Sequence, residues 1–285
     1  MLTSIRGLTA ATLSTGLLLS AAPALANETE ADVELLESAE AVDLADVETI
    51  KVARSAEPVE VDSVNYGAGE GGFEFSGNVA LVSEYRFRGV DLSGGDIAVQ
   101  GGVDLAHSSG IYIGTWGSSL DEDTVGFGHT ELDIYGGWSG DLGGVSADIG
   151  VIAYLYPNAG AGDFDYIEFY GSLGFGLGPA EVTVGVAYAP DQDSLGSTDN
   201  LYFYTDVGVG IPDTPISLSG HIGYTDGFLT FTNDSKAFDY SFGIDVAVAG
   251  PVSVGVAYVG AEGDIVAPAY DFTDDAIVFT IGASI

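Results

Sequence analysis

The chain has 285 residues, with 6 Lys plus Arg against 43 Asp plus Glu, a formal net charge of -37, and no cysteine. So acidic a chain cannot neutralise phosphates, which excludes nucleic acid as a partner and rules out a polybasic membrane anchor. Without cysteine no disulfide can staple the fold, so burial and closed hydrogen-bond ladders must hold it together.

Residues 1–26 read as an export signal. Arg6 supplies the positive start, Leu8 to Ser20 forms a short apolar core, and Ala24-Leu25-Ala26 is a small-residue cleavage site. Residues 27–70 form a second unit that carries 13 acids, only Lys51 and Arg54 as bases, and no Phe or Trp. High charge with few aromatics predicts a disordered, solvated acidic segment in the periplasm, although Val33, Leu36, Val47 and Ile50 recur at near-helical spacing. From Phe73 the texture changes to short alternating runs rich in glycine and tyrosine, and residues 71–285 read as one all-β domain.

Twelve alternating runs follow in order. They lie near 73–87, 96–106, 110–118, 130–138, 144–156, 165–174, 180–189, 199–210, 215–225, 238–249, 251–260 and 275–285. Most have about ten residues, the length a tilted strand needs to cross a bilayer. Their faces separate cleanly. In the first, Phe73, Phe75, Val79, Leu81, Tyr85 and Phe87 oppose Glu74, Ser76, Asn78, Glu84, Arg86 and Arg88. In the tenth, Phe238, Phe242, Ile244 and Val248 oppose Asp239, Ser241 and Asp245. A soluble sandwich would alternate in the same way, so this pattern alone does not choose the architecture.

The connections do. HSSG, SGDLGG, FGLGP, IPDTP and AGP follow the even strands, whereas SSLDEDTVGFGHT, PDQDSLGSTDN, TDGFLTFTNDSK and GAEGDIVAPAYDFTD follow odd ones. Short turns on one rim and long loops on the other predict an antiparallel transmembrane β-barrel. Tyr85, Trp116, Tyr154, Tyr188, Tyr224 and Tyr258 recur near the ends of odd strands and read as an aromatic girdle at the outer interface, though parity sets Trp116 apart. Tyr85 and Phe87 would then face lipid while Arg86 and Arg88 face the lumen, because a charge on the lipid face costs about 2–4 kcal/mol at the midplane.

The runs SEYRFRGVDLSG (83–94), GIYIGTWGSSLD (110–121) and ELDIYGGWSG (131–140) resemble the opening strands of the TorF-family porins, the Gcw_chp family of proteobacterial outer-membrane β-barrels. The resemblance spans roughly residues 73–285 and is most specific in S-E-Y-R-F-R-G. It implies a barrel in the outer membrane of a Gram-negative cell, in contact with lipid and lipopolysaccharide, that acts as a porin with no assigned solute. Two features depart from the pattern: the chain ends in Ile285 rather than an aromatic residue, and the acidic extension is long.

Parity places Glu84, Arg86, Arg88, Asp104, Glu131, Asp133, Asp148, Glu168, Asp206 and Asp245 on the pore lining, which should concentrate cations. Arg86 and Arg88 could form the positive side of a transverse field or neutralise Glu84 and Glu131. No cofactor or metal is expected. DEDTVG (121–126) and DQDSLG (191–196) begin like calcium loops but fail at Val125 and Leu195 and at the twelfth position. His107, His129 and His221 offer little to an enzyme, and His129 near Ser118 and Ser119 is the one hydrolase candidate. The expected function is passive, cation-preferring diffusion of small hydrophilic solutes. A closed structural or adhesive barrel and an outer-membrane hydrolase are the rivals.

Overall fold

Alternation becomes structure wherever each strand can present one face outward and the other to an enclosed interior. The structure is a computed structural model that describes residues 72–160, 162, 164–230, 232–265 and 272–285. The expected export signal and acidic segment, residues 1–26 and 27–70, lie outside the described residues.

Two kinds of strand occur. Twelve form the wall: β1 (Phe73–Val82), β4 (Ala98–His107), β5 (Ile111–Ser119), β6 (Thr130–Asp141), β7 (Val145–Leu155), β8 (Tyr166–Leu177), β9 (Ala180–Gln192), β10 (Thr198–Gly210), β11 (Ile216–Gly227), β12 (Thr232–Ala249), β13 (Val252–Ile265) and β14 (Ala276–Ser284). Each pairs antiparallel with its neighbours, and β1 pairs with β14 to close the barrel. Two short strands, β2 (Arg86–Phe87) and β3 (Val90–Asp91), pair only with each other.

Closure is by an ordinary ladder. Asn78 through Val82 pair with Ser284 through Thr280, and Gly77 and Ile285 exchange backbone bonds of 3.1 and 2.9 Å below them. Ser83 extends the seam at the other end, donating to the Phe279 carbonyl and accepting from the Phe279 N–H. No polar sheet edge is left at the seam, a condition for a sheet that sits in hydrocarbon.

The outward face is apolar at the strand middles: Leu81, Val103, Ile113, Ile134, Phe169, Phe242 and Phe279 are all exposed. The inward face carries carboxylates and tyrosines. Several inward tyrosines lie flat on the wall because the residue opposite is glycine: Gly114 faces Tyr135, Gly150 faces Tyr170 and Gly185 faces Tyr204. A β-carbon at any of these glycines would run into the tyrosine ring.

The first strand corrects the sequence reading. It stops at Val82 instead of running to residue 87, and the chain leaves the wall after Ser83 until β4. Arg88 (φ 49) and Gly89 (φ 77) turn the chain back, so β2 and β3 form a small hairpin. The Leu92 N–H donates to the Tyr85 carbonyl at 2.9 Å and the Tyr85 N–H to Ser93 Oγ at 2.8 Å, closing the loop on itself. Tyr85, Arg86, Phe87, Arg88, Val90, Asp91, Leu92 and Ser93 are all buried. A run that alternates like a wall strand is a hairpin folded into the barrel interior.

Candidate functional site

The interior near the long-loop rim is organised by that hairpin. Arg86 donates from Nη1 to the carbonyls of Gly89, Phe272 and Asp274 at 3.0, 3.2 and 2.8 Å and pairs with Glu84. The Asp91 N–H donates to the Phe272 carbonyl at 2.8 Å, so the first and last long loops are stitched together. Burial pushes the Glu84 carboxyl above the usual carboxylate range, against the pull of Arg86. Gly89 is wedged against β13, where a β-carbon would sit 2.5 Å from the Gly260 carbonyl oxygen.

Arg88 reaches further. Its Nη2 donates to Glu168 Oε2 of β8 at 2.8 Å, and its guanidinium lies 4.1 Å from the centre of the Tyr202 ring of β10. In strand order β8 and β10 flank β9, opposite β1, so the inward hairpin carries this side chain to the far wall. Tyr154 donates to the same Glu168 oxygen at 3.2 Å and stacks on Tyr166 at 4.5 Å. Tyr85 donates to Glu131 Oε1 at 2.8 Å and packs its ring on Trp116 at 5.6 Å.

Two further networks line the wall. His221 places Nδ1 2.5 Å from Asp206 and Nε2 2.8 Å from Asp239, with the Tyr202 hydroxyl also 2.8 Å from Nε2. Both ring nitrogens of His221 thus face a carboxyl group, and Nε2 also faces the Tyr202 hydroxyl. Elsewhere Tyr135 donates to Asp104 at 2.6 Å, and Tyr112 donates to Asp148 at 2.7 Å. Asp245 is buried on the same inner face of β12 as Asp239. The Asp206 side chain in the His221 network is 46% exposed.

The residues expected on the pore lining therefore fall in two groups. Asp104, Glu131, Asp133, Asp148, Glu168, Asp206 and Asp245 project inward from wall strands, whereas Glu84, Arg86 and Arg88 come from the inward loop. Arg86 and Arg88 do not share a strand face: one ties two loops together, and the other crosses to the far wall.

The girdle divides as well. Tyr188 and Tyr258 stand exposed on the outward face, and Tyr224 sits beside Phe238 with ring centres 4.8 Å apart. Tyr85 and Tyr154 do not belong there. Both are inside the barrel and almost fully buried, and the expectation that Phe87 faces lipid fails with them. Trp116 also faces inward, onto Tyr85. Their hydroxyls explain the outcome for the two tyrosines, since each satisfies a buried glutamate that lipid could not.

Sequence reasoning passed over the role of His221. Its partners come from β10 and β12, and only the register that sets Asp206 and Ser241 opposite His221 brings them together. The inward hairpin did leave a trace: Arg88-Gly89 and Ser93-Gly94-Gly95 are turn sequences inside what looked like a strand and its loop.

A family model described as "Bacterial protein of unknown function (Gcw_chp)" matches residues 67–285. No protein of curated function matches the sequence. Among solved structures, the NanC porin is similar with a TM-score of 0.52 at 10% identity, covering 74% of this chain and 99% of that one. The KdgM porin follows at 0.49 and 6%, covering 73% and 97%. Outer membrane phospholipase A from Escherichia coli follows at 0.45 and 10%, covering 74% and 90%. At such identities the likeness is one of fold, and of these three only the first is similar enough in shape to support it.

Proposed function

Because the chain belongs to the bacterial Gcw_chp family, whose function is unknown, we propose from its geometry that it is a narrow outer-membrane channel of the TorF-porin type. It passes small hydrophilic solutes passively and prefers cations. The observation that carries the reading is the charge balance inside a closed barrel. Asp104, Glu131, Asp133, Asp148, Glu168, Asp206, Asp239 and Asp245 project inward, against Arg86, Arg88 and His221 among the described residues. Inside low-dielectric walls such an excess raises the local concentration of cations and excludes anions.

The outward apolar face supports a bilayer location, with the long-loop rim outside the cell and the short turns in the periplasm. In the same reading, residues 1–26 direct export and are removed, residues 27–70 form an acidic periplasmic segment, and lipopolysaccharide and lipid coat the wall. The inward hairpin narrows the outer half of the lumen, so conductance should be small.

Reversal potential across a planar bilayer under a potassium chloride gradient tests this. A cation-selective current is expected. Its absence, in a sample shown by heat-modifiable mobility to be a folded barrel, would sink the channel reading. The burial of Arg88, Glu168 and Glu131 favours one alternative, a structural barrel whose lumen its own side chains close. The hydrolase reading gains less, since His129 Nδ1 sits 2.9 Å from Thr130 Oγ1 and is exposed.

A further inference from the structure

Arg88 holds a left-handed backbone conformation that a β-carbon disfavours, at the tip of a hairpin that reaches across the lumen. Its guanidinium sits against the rings of Tyr202 and Phe87, at 4.1 and 4.8 Å, and makes one hydrogen bond to Glu168. The arginine side chain is 1% exposed and the glutamate 0%. A wall carboxylate beside the aromatic face of Tyr202 is the chemistry that recognises a guanidinium or an alkylated ammonium.

The fit of the arginine to this site is incomplete. Arg88 Nε and Nη1 meet no acceptor, and Glu168 Oε1 and Asp133 Oδ1 meet no donor, among the described residues. A guanidinium free to choose its pose would meet a carboxylate with two parallel bonds. The tethered one makes a single bond and leaves the second carboxylate oxygen empty.

We propose that Glu168, Tyr154 and Tyr202 form a binding site for an organic cation of the guanidinium or alkylammonium class, and that Arg88 is its tethered occupant. A solute of this class competes with Arg88 for Glu168. When the solute takes the site, the hairpin tip withdraws while Arg86 keeps the loop anchored to the carbonyls of Phe272 and Asp274. The narrow state and the loaded state are then two occupancies of one carboxylate. The inference rests on the cation-channel reading above and names the solute class for it.

The test uses the full chain with methylguanidinium chloride as probe. It compares wild type, Arg88→Ala, Arg88→Gln and the double variant Arg88→Ala/Glu168→Gln, each shown to be a folded barrel by heat-modifiable mobility. Calorimetric titration in detergent should show the two single variants binding the probe about tenfold more tightly than wild type, and the double variant losing that gain. In planar bilayers the probe should reduce the potassium current of Arg88→Ala in a saturable manner. Equal affinity for wild type and both single variants, or affinity that survives Glu168→Gln, would overturn the site. Binding in the expected order without potassium current in any variant keeps the site and removes the channel. Cation-selective current with no discrimination among variants does the reverse.

Discussion

The Tyr85 hydroxyl donates a 2.8 Å hydrogen bond to Glu131 Oε1, joining the first long loop to the start of β6 across 46 residues of chain. Both groups are almost fully buried. The contact fixes where residues 83–97 go, because a buried carboxylate needs donors and a phenol on the loop provides one.

Removing that hydroxyl should loosen the loop while leaving the barrel intact. Tyr85→Phe keeps the ring against Trp116 and deletes one donor to a buried acceptor. A loss of about 1–3 kcal/mol is expected. Denaturant titration of the reconstituted protein measures it, and an unchanged midpoint would show that the bond contributes nothing.

Gly89 should be the residue the inward loop tolerates least. Its φ of 77 is left-handed, and a β-carbon there would meet the Gly260 carbonyl oxygen at 2.5 Å. Gly89→Ala should unseat the hairpin, raise single-channel conductance and open residues 83–97 to protease. Wild-type conductance together with wild-type protease resistance would mean that the loop does not set the constriction.

The two faces of β12 should differ sharply in their tolerance of charge. Phe242 is 54% exposed on the outward face at mid-strand, with Ser241 beside it on the inward face. Phe242→Arg should cost about 2–4 kcal/mol in a bilayer, and Ser241→Arg clearly less. Unfolding of both variants in liposomes is the comparison, and equal losses would argue against lipid on the Phe242 face.

Acid should release the last long loop through Asp275. The hydroxyl of Tyr240, donating at 2.7 Å, and then that of Tyr258 hold this carboxyl below the usual aspartate range. A depressed value means the contact stabilises the loop above the unfolded aspartate's pKa of about 3.9 and is lost as pH falls through the lower folded value. Pepsin nicking near residues 272–275 should rise over that acidic interval in wild type. In Asp275→Ala it should be high throughout, and a wild-type profile in that variant would discard the contact.

Much of the wall was legible because its cause is local. An apolar face and a polar face repeat every second residue, so Phe238, Phe242 and Ile244 opposed to Asp239 and Asp245 mark both the strand and its two faces. Glycine and proline turns then set the hairpin order. The inward hairpin was not legible in the same way. S-E-Y-R-F-R-G-V alternates as well as any wall strand, and parity reports only that two faces differ, not whether the chain is still in the wall.

By itself, then, the sequence determined an acidic, closed, antiparallel barrel with apolar residues outward and carboxylates inward, since those properties follow from charge, from a period of two and from short turns alternating with long loops. Tertiary structure alone decided that Arg88 meets Glu168, that Tyr85 and Tyr154 turn inward, and that His221 lies between Asp206 and Asp239. Those contacts join residues 80, 46, 14, 15 and 18 positions apart. They depend on strand register and on the curvature that brings opposite walls within reach of one side chain, and neither is a property of any short stretch of chain.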